Sequence, residues 1–133
     1  NLMTNCIYLQ DESVIINGLK FYGAPWQPTF YNWAFNLDRG APLRKAWAKI
    51  PKDTDVLITH GPPAGILDKA LDNRGTGCVD LLDTVLDVRP KLHVFGHIHE
   101  EYGMLEKGST IFVNAYSCKR QYMPTNSAIV VDI

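Results

Sequence analysis

The chain has 133 residues, 46% of them hydrophobic, which suits one globular domain with a substantial core and excludes a disordered chain. Its formal net charge of -1, without a run of lysines or arginines, excludes the basic footprint of a nucleic-acid-binding or membrane-surface protein. The three cysteines lack C-x-x-C spacing, which favours a reducing compartment over a disulfide framework. No apolar stretch approaches the roughly 20 residues of a membrane span, so the sequence predicts a cytoplasmic protein.

The first elements in the chain are predicted to be strands, followed by an aromatic connection. A short strand is expected over residues 6–9, and Asn17-Gly18 predicts the type I′ turn of a hairpin over 14–22, because both residues accept positive φ. The connection over 23–40 is too aromatic for a free linker. We expect it either to form a wall of the substrate pocket or to pack as a separate hydrophobic cluster over a sheet edge.

The middle of the chain predicts an α/β fold with a βαβ unit. A short helix over 42–50 leads into an apolar strand over 55–59, and a helix over 78–88 returns to a second apolar strand over 92–95. Such a unit pairs its strands in parallel, so that their carboxyl ends meet at one edge of the sheet. The buried face of the second helix is expected to consist of Val79, Leu82 and Leu86.

The last third predicts a hairpin, a polar loop and a final strand. Alternating residues on either side of Lys107-Gly108 indicate the hairpin, and the apolar run over 128–133 indicates the strand. In the loop between them, Lys119, Arg120 and Tyr122 are expected either to meet a phosphate or nucleobase or to be solvated surface residues.

Histidines follow the ends of the two parallel strands. His60 comes after the first strand, and His97 and His99 come after the second, where an extended backbone would point both to the same side. Ligands collect at the carboxyl ends of strands in an open α/β sheet, and imidazole is a common ligand of zinc, iron and related metals. We therefore predict a metal site of His60, His97 and His99, whereas His93, inside the strand, is expected to make a structural hydrogen bond.

These motifs resemble those of a known enzyme family. Thr59-His60-Gly61 and Gly96-His97-Ile98-His99 are similar to the last two motifs of the calcineurin-like metallophosphoesterases, whose ordered signature is D-x-H, G-D, G-N-H, G-H and G-H-x-H. The longer runs over 57–63, 92–100 and 112–115 resemble the metallophosphoesterase domain-containing branch of that family.

The first three motifs of the signature do not occur before His60. The resemblance therefore implies that residues 1–133 are the C-terminal half of a single metallophosphoesterase domain, whose N-terminal half is absent from this chain. A chain that opens with Asn1 is most simply a segment of a longer protein. The absent half would supply the aspartates, the asparagine ligand and the catalytic histidine of the family.

The resemblance also implies a fold and a mechanism. The intact domain would be a two-sheet β-sandwich flanked by helices, with two divalent metal ions (Mn, Fe or Zn). His60 and His97 look like ligands of one ion and His99 like a ligand of the other. A hydroxide activated by both ions would attack a small phosphoester, possibly a nucleotide, so that the protein would act as a phosphodiesterase. Asn114, just past a strand, is expected either to orient this substrate or to form a turn.

Two other functions stay open from the sequence. A mononuclear three-histidine zinc site with an open fourth position would make a hydrolase that needs no further half. Alternatively, the fold could serve as a non-catalytic scaffold, because a half-domain that exposes a sheet edge is prone to bind a partner or itself.

Overall fold

A mixed six-stranded sheet with two α-helices forms the computed structural model, which describes residues 4–118 and 123–133. Lys119, Arg120 and Tyr122, which were expected in a polar loop, lie outside the described residues. Within the described ranges, no helix is long and apolar enough to cross a bilayer. The elements in chain order are β1 (Glu12–Ile16), β2 (Leu19–Ala24), β3 (Gln27–Pro28), β4 (Asn36–Leu37), α1 (Ala41–Trp47), β5 (Val56–Thr59), α2 (Val79–Val88), β6 (Leu92–Phe95), a 3₁₀ helix (His99–Glu101), β7 (Gly103–Lys107) and β8 (Thr110–Asn114).

The strand order in the large sheet is β1-β2-β5-β6-β8-β7. β2, β5, β6 and β8 are mutually parallel, while β1 and β7 add to the two edges as antiparallel hairpin partners. The parallel pairing of β5 with β6, predicted from the βαβ pattern, is confirmed. The carboxyl ends of four neighbouring strands therefore meet at one edge of the sheet. β3 and β4 form a separate parallel pair within the aromatic connection.

The two faces of the sheet differ in what covers them. On one face, Leu57, Phe95 and Phe112 pack against both helices and form the core. On the other face, alternation and register place Ile58, Val94, Val113 and Met104 in one row across four strands. The ends of this row are open, since Ile58 is 40% and Met104 is 51% exposed. We call these four residues the apolar row.

Local signals in the sequence explain several element boundaries. The predicted hairpin turn is confirmed, with φ of 51° at Asn17 and 82° at Gly18, the positive values that a type I′ turn requires. The predicted helix over 42–50 forms as α1, with a proline in its first turn. In α2 the Cys78 sulfur accepts a hydrogen bond from the Leu81 amide, and the helix ends at Val88, after which Arg89 has a left-handed backbone. The hairpin around Lys107-Gly108 is confirmed as β7 and β8.

Three predictions about elements are wrong. Residues 6–9 and 128–133 are not strands, and Val130 is 85% exposed, because an apolar run forms a strand only where a neighbouring strand can pair with it. The buried face of α2 also differs from the predicted one: Leu82 is partly buried against the core as predicted, but Val79 and Leu86 are both 58% exposed. The helix carries two apolar faces, and the core takes the one formed by Leu81, Val85 and Val88.

Candidate metal centre

The candidate site lies at the carboxyl ends of β5 and β6. β5 ends at Thr59 and β6 at Phe95, and the Gly96 amide donates to the His60 carbonyl at 3.0 Å. This hydrogen bond continues the pairing of β5 and β6 by one step beyond the ends of the two strands. His60 and His97 therefore leave the sheet side by side, as the parallel arrangement predicts.

The His60 and His97 rings point nitrogens at each other. His60 Nε2 lies 3.0 Å from His97 Nδ1, and the ring centroids are 4.7 Å apart. Two imidazole nitrogens that each lie about 2.1 Å from one metal ion, at a right angle, are separated by about 3 Å. The observed spacing therefore suits adjacent ligands of a single ion.

Both imidazoles are held in the neutral form that binds metals. Burial lowers the pKa of His60 below its usual value. Burial, followed by the charges of His60 and His99, lowers the pKa of His97 to about 4. A neutral ring keeps a lone pair on one nitrogen. At 3.0 Å one of the two facing nitrogens carries the shared hydrogen, so that ring has to move its proton to its other nitrogen before both can bind one ion.

The backbone at His97 is strained. Its φ is 72°, and the Ile98 amide donates to the Gly96 carbonyl at 2.9 Å, which closes a three-residue turn around His97. A three-residue turn with positive φ is rare and costly for a residue with a side chain. The expectation of an extended backbone through residues 97–99 is wrong, because the chain turns here and then enters the 3₁₀ helix that begins at His99.

His99 occupies the same region without joining the pair. Its ring stacks on Tyr116, with centroids 3.9 Å apart and planes at 15°. Across residues 4–118 and 123–133, no three side chains of His, Cys, Asp or Glu are grouped so that they could share a metal ion. The structure therefore brings together two of the three predicted ligands. The mononuclear three-histidine site has no geometric support in the described part of the chain.

Asn114 supports the turn that carries the histidines. It is 0% exposed, its Nδ2 donates to the Ile98 carbonyl at 2.7 Å, and its Oδ1 accepts from the Tyr116 amide at 3.2 Å. Both ends of the amide are thus occupied beneath the site. This placement favours the turn-forming role over contact with a substrate.

A polar contact that the sequence did not reveal lies under His60. His93 is fully buried in β6, and its Nε2 lies 2.9 Å from the hydroxyl of Thr59, which donates to the Gly61 carbonyl at 2.9 Å. Burial lowers the pKa of His93 to about 3. The structural role expected for His93 agrees with this hydrogen bond. The contact follows from the parallel register, in which Leu57 pairs with His93. Thr59 is two residues after Leu57 and therefore points to the same face of the sheet as His93.

A cleft of about 780 Å³ opens beside His97 and His99. The aromatic connection forms part of its wall, since Phe30, Tyr31 and Trp33 line it. Residues 23–40 were expected to form either a pocket wall or a separate hydrophobic cluster. Phe30, Tyr31 and Trp33 agree with the first of these expectations, because they line the cleft. The volume is in the range of pockets that take a nucleotide-sized ligand.

Comparison with known proteins places the chain among relatives of one kind. It is 53% identical over 135 residues to metallophosphoesterase domain-containing protein 1 of Homo sapiens and of Mus musculus, an alignment that covers 100% of this chain and 41% of each relative. The chain belongs to the metallophosphoesterase family. Another relative, UPF0046 protein T07D4.2 of Caenorhabditis elegans, is 46% identical over 100% of the chain and 34% of its own length.

The chain spans less than half the length of these relatives. The chain corresponds to the C-terminal half of a metallophosphoesterase-family protein. No protein-family model matches it. One solved crystal structure superposes with a TM-score of 0.55 over 81% of this chain and 45% of its own, and at 20% identity that likeness concerns the fold alone.

Proposed function

We propose that the protein containing this chain is a metal-dependent phosphodiesterase that hydrolyses small phosphoesters of the nucleotide type. One observation carries the proposal: two neutral imidazoles, His60 and His97, direct nitrogens at each other over 3.0 Å at the edge of a cleft. The names of its relatives support the phosphoesterase class. The substrate type and the metal are our inference.

The residues present fit part of a two-metal site. His60 through Nε2 and His97 through Nδ1 would hold one divalent ion, for which Mn, Fe and Zn are candidates. His99, which lines the same cleft, would contribute to a second ion together with ligands from the rest of the domain. When bound, such ions supply a nucleophile at neutral pH and offset the negative charge that develops on the phosphoryl oxygens.

The chain's own contribution is to position the ligands and to shape the cleft. Asn114 and the three-residue turn fix where His97 points, and the Thr59–Gly61 hydrogen bond fixes the segment that carries His60. The rings of Phe30 and Trp33 exclude water from one side of His97. We expect the proton donor for the leaving group in the absent half of the domain.

The apolar row supports the proposal that this chain is half of a sandwich. A sheet face with partly exposed Ile58 and Met104 exposes hydrophobic area that a second sheet would bury. We infer that the remainder of the metallophosphoesterase domain supplies that sheet and with it the missing ligands.

The test uses the complete protein, stripped with a chelator and reloaded with Mn²⁺, Fe²⁺ or Zn²⁺. We expect hydrolysis of bis(p-nitrophenyl) phosphate to return with metal and to exceed hydrolysis of p-nitrophenyl phosphate. His60→Ala and His97→Ala should each abolish tight binding of one ion. Lys107→Ala, at the tip of a hairpin, is the control and should change neither property. A folded protein that binds no divalent ion and hydrolyses neither ester would contradict the proposal and favour the scaffold function.

A further inference from the structure

We propose that Tyr31 and Trp33 form a stacking platform for a planar aromatic group, either a nucleobase or an aryl ring, on the phosphoester that this site takes. The inference rests on the proposed function and extends it to the class of substrate. We call Phe30, Tyr31 and Trp33 the aromatic tip.

The rings of the aromatic tip are exposed in this chain. Tyr31 is 81%, Trp33 52% and Phe30 43% exposed, although these are among the side chains that gain most from burial. Phe30 packs edge-on against Tyr31 and Trp33, with centroids 4.5 and 5.1 Å away, so the three rings form one continuous surface. A contiguous exposed apolar surface at a cleft is typical of a ligand site.

The backbone beneath these rings is fixed. The Phe30 amide donates to Asn36 Oδ1 at 3.2 Å, and Asn36 Nδ2 donates to the carbonyls of Phe30 and Tyr31 at 3.3 and 3.1 Å. Tyr31 itself has a φ of 46°, a conformation that is unfavourable for a bulky side chain. A tip that holds a strained tyrosine in place, with its ring still exposed, is already ordered for binding and loses little entropy when a ligand stacks on it.

The platform adjoins the proposed metal ligands. Phe30 and Trp33 meet the His97 ring edge-on, with centroids 5.8 and 6.1 Å away and planes at 86° and 85°. A phosphoester whose phosphoryl group lies at His97 therefore has its organic substituent beside Trp33 and Tyr31. The first contact available to that substituent is an aromatic surface, which favours a planar ring over an alkyl group.

The rest of the cleft suits the anionic part of such a ligand. Arg74 lines it with a side chain that is 75% exposed and paired with Asp72 at 3.3 Å. Arg39 donates to the carbonyls of Thr76 and Gly77, so it fixes the segment next to Arg74. The cleft thus combines a cation, two candidate metal ligands and an aromatic surface, the set that a base-bearing or aryl-bearing phosphate requires.

The first experiment compares two diesters with the same leaving group in the complete, metal-loaded protein: phenyl p-nitrophenyl phosphate and methyl p-nitrophenyl phosphate. In the wild type we expect a preference in kcat/KM for the phenyl ester that Tyr31→Ala lowers about tenfold, chiefly through KM, since one stacked ring contributes an effect of that order. Tyr31→Phe keeps the ring and should keep the preference. Tyr8→Ala removes a tyrosine that is 59% exposed outside the cleft and should have no effect. If the p-nitrophenyl ring occupies the platform instead, Tyr31→Ala should raise KM for both esters. An unchanged preference together with an unchanged KM for both esters in Tyr31→Ala would overturn the proposal.

The second experiment measures binding by calorimetry and by intrinsic tryptophan fluorescence, and it does not need turnover. Adenosine 5′-monophosphate is compared with ribose 5-phosphate, and phenyl phosphate with methyl phosphate. Tighter binding of both ring-bearing ligands supports a general platform, and tighter binding of one of them identifies the nucleobase or the aryl ring as the group recognised. Selective binding without hydrolysis of any ester would contradict the proposed function and leave the platform standing. If neither ring improves binding, the platform is refuted.

Discussion

The hydroxyl of Thr59 joins the buried ring of His93 to the segment that carries His60. Thr59 Oγ1 has one hydrogen, which it donates to the Gly61 carbonyl at 2.9 Å, so the contact of 2.9 Å with His93 Nε2 requires that this nitrogen carries a proton and donates. His93 Nδ1 is then the unprotonated nitrogen, and it has no hydrogen-bond partner among the described residues. A neutral, singly protonated His93 thus holds the loop beneath the candidate metal site.

Acid should destabilise the protein through His93. Its pKa is about 3 in the folded state, against an ordinary value of 6.5, so below pH 6.5 the unfolded chain takes up a proton that the folded chain cannot. Stability is therefore lost as the pH falls from 6.5 towards 3, by about 2 kcal/mol between pH 6.5 and 4.5. Urea unfolding at both pH values measures this loss. His93→Gln should show a smaller loss than the wild type, and an equal loss in both proteins would contradict the assignment.

Removing the Thr59 hydroxyl should weaken both the fold and the site. Thr59→Val keeps the shape but leaves the His93 donor and the Gly61 carbonyl without this partner, which costs about 1–3 kcal/mol of unfolding free energy. The loop that carries His60 also loses its anchor, so we expect Mn²⁺ affinity to fall about tenfold, as for changes next to metal ligands in general. Chemical unfolding and metal titration provide the two measurements. Thr59→Ser retains the hydroxyl and serves as the control.

Substitutions at His97 should separate backbone strain from metal binding. His97→Gly and His97→Ala both remove the imidazole, but glycine tolerates the φ of 72° and should be more stable than alanine by about 1 kcal/mol. Neither variant should hold the metal ion tightly. The matched pair is His60→Gly and His60→Ala. His60 is not among the residues with positive φ, so alanine should be the more stable of these two. If alanine is more stable than glycine at both positions, the turn at His97 carries no strain.

Changing Asn114 should move the turn between His97 and His99. Asn114→Asp keeps the shape but replaces the Nδ2 donor by an oxygen next to the Ile98 carbonyl, which places two acceptors together in a buried position. We expect a loss of about 1–3 kcal/mol in unfolding free energy and weaker Mn²⁺ binding. Asn126→Asp is the comparison, since Asn126 Nδ2 also donates to a backbone carbonyl, that of Tyr116, but in a half-buried position. If both changes cost the same, burial of Asn114 contributes nothing.

Local chemistry in the sequence predicts the fold best where one residue type decides the geometry. Asn17-Gly18 fixes a hairpin because few other pairs accept two positive φ values, and the alternation of apolar strand and helix fixes the parallel pairing of β5 and β6. The buried face of α2 could not be read from the helix alone. The side that carries Val79 and Leu86 and the side that carries Val85 are both apolar, and packing against α1 and the sheet decides between them.

The sequence likewise predicts one part of the candidate site and not another. The convergence of His60 and His97 follows from strand pairing, and the structure agrees. The orientation of His99 depends on a turn at His97 whose φ of 72° no sequence pattern announces. The burial of Asn114 depends on its contacts with the backbone of Ile98, 16 positions away, which local sequence does not describe. The assignment of all three histidines as metal ligands stays a prediction, as does the cytoplasmic location.

The two paired imidazoles lie 37 positions apart along the chain, on either side of the whole helical crossover between β5 and β6. An ion shared by them would therefore act as a removable cross-link that fastens the beginning of that crossover to its end. Because binding to the folded state alone adds stability in proportion to the logarithm of ion concentration, the melting temperature would follow metal supply. Depletion of the ion would then lower the melting temperature of the protein together with the proposed hydrolytic activity.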